Sequence, residues 1–178
     1  PTKIDSVDEN GHGFTGSLDG GGHTINLAVG EPYGMRGDNK VGATSDGNGK
    51  IYRHGRQGLF ATLGTNASIA NVTVGGTLRF DNGVEVHAGS FAATITGNAT
   101  FTGAVAKAAI ACDQTFTNAA NVGGIAGSVT GAATVTFEAN GNNASAAQAT
   151  IAFPNELMGG ATIGGAIGWV NDNTTNVN

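Results

Sequence analysis

The sequence predicts an all-β fold, a right-handed parallel β-helix (β-solenoid) of about five irregular coils, and three observations carry that expectation. First, the chain repeats itself without a gap. Gly89-Ser-Phe-Ala-Ala-Thr-Ile-Thr-Gly-Asn-Ala-Thr-Phe-Thr102 can be laid on Gly123-Gly-Ile-Ala-Gly-Ser-Val-Thr-Gly-Ala-Ala-Thr-Val-Thr136, which matches Phe91 with Ile125, Ile95 with Val129 and Phe101 with Val135. Second, 31 of the 178 residues are Gly, and each costs roughly 1 kcal/mol relative to Ala inside a helix. Third, apolar and small residues alternate over short runs rich in Thr, Val, Ile and Phe, the pattern of a pleated surface. A β-sandwich also has many short strands and is the alternative. The gapless match favours the solenoid, in which stacked coils pair about 4.8 Å apart.

The elements follow in order. A first strand-rich coil starts near Phe14. Further copies start at Gly58, Gly89, Gly123 and Gly164, with uneven spacings of 31, 34 and 41 residues. In the copy at Gly58, Asn66-Ala-Ser-Ile69 falls on Asn98-Ala-Thr-Phe101 after one deletion. Gly-Thr-Asn, Thr-Gly-Asn and Thr-Gly-Ala supply the turns within the copies. The Ala-rich run 104–111 comes nearest to a helix, but no capping pattern flanks it. The expected core is Phe60, Leu63, Phe91, Ile95, Phe101, Ile125, Val129 and Val135. Residues 30–57 interrupt the repeat and hold five of the eight basic residues. They read as an exposed insertion, a hairpin turning at Asp46-Gly-Asn-Gly49. The whole of 1–178 reads as one β-helix fragment of a larger protein, because the chain starts at Pro1 without Met and stops in a polar run.

Composition excludes some functions. A net charge of −5 counts against nucleic acid, which needs a basic face. Charged residues make up only 12%, about half the usual share. The single cysteine, Cys112, cannot form an internal disulfide. No apolar stretch reaches the length of a membrane span. None of the four histidines begins a His-Glu-x-x-His, so a metallopeptidase centre is not encoded here.

The candidate sites are few. Arg79, Asp81, Glu85 and His87 flank the turn Asp81-Asn-Gly83 and form the nearest approach to a carboxylate site of the glycan-cleaving kind. A solvated turn with cross-strand charge pairs is the plainer reading. Arg36-Gly37-Asp38 spells the tripeptide read by integrins, within the insertion. Asp5, Asp8 and Glu9 could hold calcium but do not match the EF-hand loop, and a polar cap over the first coil is the plainer reading. No other metal or cofactor is expected. Asp19 precedes three glycines in Leu-Asp-Gly-Gly-Gly-His, a turn around which Asp19 and His23 could hydrogen-bond. No helix follows to make it a phosphate cradle.

Two sets of residues resemble a known family. Phe14-Thr-Gly-Ser-Leu-Asp-Gly-Gly-Gly-His-Thr-Ile-Asn-Leu27 is similar to the opening coil of bacterial surface β-helices, where a Leu-Asp-Gly-x-Gly-His-Thr-Ile phrase is frequent. Gly58-Leu-Phe-Ala61, Gly89-Ser-Phe-Ala92, Gly124-Ile-Ala-Gly127 and Gly165-Ala-Ile-Gly168 resemble the GLUG repeat. That repeat occurs in Gram-positive surface proteins, among them the non-catalytic regions of IgA-specific metallopeptidases, and in adhesin-like proteins. The resemblance covers about residues 12–170. Ala replaces the last Gly in two copies, and Ser90 replaces Leu in one. The resemblance implies a β-helix, an extracellular, cell-surface location and a structural or adhesive role rather than an enzyme's. The partner would be a host or cell-surface protein or glycan, with end-to-end self-association where coils are left open. A carbohydrate-active lyase or hydrolase is the alternative function.

Overall fold

The computed structural model describes residues 13–29, 43–45, 51–80, 85–112, 120–152, 160–171 and 176–177. Among them every regular element is a strand, so the fold is all-β. Three sheets surround one apolar core. The chain passes through them in a fixed order. Ile51–Gln57, Glu85–Ala88, Ala120–Gly123 and Ala161–Gly164 belong to the first sheet. Phe60–Leu63, Ala92–Ile95, Ala126–Val129 and Ile167–Val170 form the second. The third begins with Ser17–Val29 and Ala67–Phe80. It continues through Ala99–Thr102, Val105–Ala106 and Ala109–Cys112, then through Thr134–Asn140, Ala146–Ala147 and Thr150–Ala152. Each pass lies parallel to the one before it, which makes successive passes layers of a stack. Two pairings are antiparallel, so the sheets are mixed: Ala43–Ser45 against Ile51–Gln57, and Asn143–Ala144 against Thr134–Asn140.

The expected core residues are all buried, Ile125 being the most accessible of the eight at 3%. Phe91 and Ile125 lie on neighbouring layers, with the Phe91 amide donating to the Ile125 carbonyl at 3.0 Å. Ile95 lies against Val129, as the repeat predicts. Aromatic rings continue the stack. Phe14 stacks on Phe60 at 4.6 Å, Phe91 meets Phe101 edge-on at 5.4 Å, and Phe101 stacks on Phe137 at 5.4 Å.

One match needs correction. Phe101 pairs with Phe137, not Val135, and Ala99 takes Val135. The turn after Val129 consumes two more residues than the turn after Ile95, so the register advances by two. Side chains alternate faces with period two, so this slip keeps Val135 and Phe137 on the face toward the core. Val135 and Ala99 are both buried as a result. The run 104–111 is not helical. It contains Val105–Ala106 and the start of Ala109–Cys112, both parallel to the long strand Ala67–Phe80. Within 30–57, Ser45 faces Ile51 across an antiparallel pair, and the expected turn at 46–49 lies outside the described residues. Ile51–Gln57 also joins the first sheet against Glu85–Ala88.

The first and second sheets approach each other at backbone distance. A Cβ on Gly127 would sit 2.4 Å from the Ala88 amide nitrogen, and one on Gly168 would sit 2.5 Å from that of Val122. These are the closing glycines of Gly124-Ile-Ala-Gly127 and Gly165-Ala-Ile-Gly168. A side chain there would force the sheets apart.

Candidate binding groove

The groove is built from two departures from regular pairing. The first is in Ser17–Val29. Asp19 lies against Ala70 and His23 against Val72, so Gly20, Gly21 and Gly22 together face Asn71 alone. This is a bulge, made possible by left-handed backbone at Gly21 (φ 57°) and Gly22 (φ 81°). The Gly21 amide donates to Asp19 Oδ1 at 2.9 Å and fixes the turn. The second departure is a tight hairpin in which Asn140 faces Asn143 around Gly141 and Asn142. Gly141 supplies the positive φ, 59°, that so short a loop needs. Ser145 pins the base of this hairpin. Its Oγ lies 2.9 Å from the carbonyl oxygens of both Phe101 and Glu138, and it accepts from the Ala104 amide at 3.1 Å.

Asn71 joins the two. Its Nδ2 donates to Asp19 Oδ1 at 3.2 Å, and its Oδ1 accepts from Asn140 Nδ2. Its own φ of 51° is one that Asn tolerates better than most residues. Between bulge and hairpin lies an open groove of about 610 Å³. Its floor is the small-residue column Thr73, Val105 and Ala146, contributed by three adjacent layers. Asp19, Asn142, Asn143 and Gln148 stand around it. Asp19 is the sole titratable group among the described lining residues. The Gly21 N–H, and then the Asn71 amide, hold its carboxyl below the ordinary aspartate value, so it stays ionised at neutral pH. One carboxylate surrounded by amides and a hydroxyl is not an acid/base pair. What the groove offers is a set of hydrogen-bond donors and acceptors.

The residues singled out in the sequence lie elsewhere. Arg79 is in Ala67–Phe80 with Ala111 as its backbone partner, and Glu85 opens Glu85–Ala88 opposite His54. Asp81 lies outside the described residues, as do Arg36, Gly37 and Asp38 and the calcium candidates Asp5, Asp8 and Glu9. His87 is buried where the first and second sheets meet. Its Nδ1 is 2.8 Å from Ser128 Oγ, and Ser128 Oγ donates to Thr94 Oγ1 at 3.2 Å. Asp19 bonds to Gly21 and Asn71 at its turn. Among the described residues no group of three or more His, Cys, Asp or Glu is placed to hold a metal ion. No helix there is long and apolar enough to cross a membrane.

Sequence reasoning missed Asn71, Asn142, Asn143 and Gln148. The readable signal was Asn140-Gly-Asn-Asn143, a hairpin cue placed where the repeat spacing lengthens. No family model matches the chain, and no curated protein or solved structure matches it.

Proposed function

We propose that this chain is a non-catalytic binding module of a secreted cell-surface protein, folded as a right-handed parallel β-helix with GLUG-like repeats. Parallel pairing of each pass with the previous one, in unchanged sheet order, supports the β-helix over a sandwich, whose sheets are antiparallel. The backbone approach at Gly127 and Gly168 supports the repeat reading, because it gives the closing glycine a physical reason. A low share of charged residues and an abundance of Gly and Thr suit an extracellular location.

The observation that carries the function is the groove itself. It gathers amide, hydroxyl and carboxylate groups from four layers around small floor residues, and its described lining residues hold a single carboxylate. Glycan hydrolysis uses two. The test is affinity electrophoresis of the chain through gels containing a panel of polysaccharides, with an assay for new reducing ends alongside. Retardation without release of reducing ends is the expected result. Release that disappears in Asp81→Asn or Glu85→Gln would establish the carbohydrate-active enzyme instead.

A further inference from the structure

We infer that the groove selects uncharged, hydroxyl-rich chains: its ligand class is a neutral glycan. This rests on the binding-module reading above. Asn142, Asn143 and Gln148 each carry both donors and acceptors on an exposed amide. A sugar hydroxyl likewise donates once and accepts, so amides and hydroxyls pair in either direction. Asp19 only accepts. Its Oδ1 already takes the Gly21 and Asn71 N–H groups, which leaves Oδ2 for a ligand O–H.

The same carboxylate sets the selectivity. No Lys or Arg is among the described lining residues, so an acidic sugar would meet a fixed negative charge with nothing to neutralise it. The depressed pKa keeps that charge in place across the neutral range. An apolar peptide is a poorer match for a rim of exposed amides, because its side chains offer them no hydrogen bond and only its backbone does. The volume of about 610 Å³ falls in the range of sites for small organic ligands and suits a few sugar rings. No aromatic ring lines the described groove. Without a stacking face, single-site affinity is expected near ~1 mM.

The test is an amide NMR titration of the full 178-residue chain. The probes are a neutral glucose hexasaccharide, an oligogalacturonate of equal length and an uncharged hexapeptide. The neutral sugar should shift the amides of Gly21, Asn143 and Gln148 along a saturating curve. The acidic sugar should bind about tenfold more weakly. Asp19→Asn should narrow that gap by improving binding of the acidic sugar, whereas Gln148→Ala should weaken both sugars and leave the gap in place. Thr150→Ala, exposed outside the groove, should change neither.

Equal or tighter binding of the acidic sugar by the unaltered chain would overturn the inference. So would a shift map centred away from the groove, or shifts with the peptide and none with the neutral sugar; in that last case the binding-module reading would survive. If the neutral sugar binds as described but new anomeric signals grow in with time, ligand selectivity stands and the non-catalytic reading falls.

Discussion

Gln57 is fully buried, yet neither its Nε2 nor its Oε1 has a hydrogen-bond partner among the described residues. Its backbone neighbour on the next layer is Ala88, itself in the core. A buried amide without partners costs about 1–3 kcal/mol, which is a large fraction of a typical domain's stability. Methionine has nearly the same shape and no such debt. Gln57→Met should therefore stabilise the fold by about 1 kcal/mol, read as a raised urea midpoint at unchanged slope. A lower midpoint would mean that the amide is engaged after all. Asp19 makes the opposite point at the surface. Its folded pKa is depressed, so the hydrogen bonds it accepts are at full strength above the ordinary aspartate value and are lost as pH falls through the depressed one. A carbon-detected titration of its carboxyl should give a midpoint below that of an unstructured aspartate. Asn71→Ala should move it back upward by removing one of the two donors, leaving the Gly21 contribution in place.

Among the elements, Ala92–Ile95 with the preceding Phe91 is buried at every position. Phe91 touches Phe101 and bonds through its backbone to the layers on both sides. Phe91→Ala should cost about 3–5 kcal/mol, the range for truncating a buried aromatic. A loss under half of that in chemical denaturation would mean that the site collapses around the gap. This strand was legible in the sequence because its repeat partner, Ala126–Val129, has the same length and the same turn before it. Phe101 was misplaced by two because identical Thr-Gly signals at 96–97 and 130–131 hid turns of different length. Of the groove, only the separate turns at Asp19 and Asn140-Gly141 were legible, and not that they meet. Asn71 meets partners 52 and 69 residues away, and nothing in the local pattern of any one strand announces which asparagines will share a corner. Charged residues drew attention in the sequence, whereas the described polar cluster is made mostly of amides.

For the molecule as a whole, the layers end unequally. Leu27, in the first described layer, is 2% exposed, whereas Ile163, Val170 and Val177, on the last, are 48%, 43% and 47% exposed. Among the described residues, each of the strands that carry these three pairs on one side only, and such an edge is a template for further pairing. The isolated chain should accordingly associate end to end. Size-exclusion chromatography should show a species whose apparent mass rises with concentration. Ile163→Lys combined with Val170→Lys should return it to a monomer without lowering its stability by more than about 1 kcal/mol, as befits exposed sites. A concentration-independent monomer in the unaltered chain would show that this edge needs no cover.

The parallel layers also bear on how the molecule would carry load. Hydrogen bonds between parallel strands are slanted but run from each strand to its neighbour, so here they point broadly along the direction in which the passes are paired. A pull between the first and last layers would draw each row of bonds straight open instead of sliding one strand past another. Rows aligned this way part in turn, and each parting frees one circuit of chain. The circuit from Gly89 to Gly123 would pay out roughly 110–120 Å of slack. A tether made of such circuits would yield in instalments: it would limit the peak force on whatever it holds and lengthen to roughly twenty times its resting height before the chain is fully drawn out.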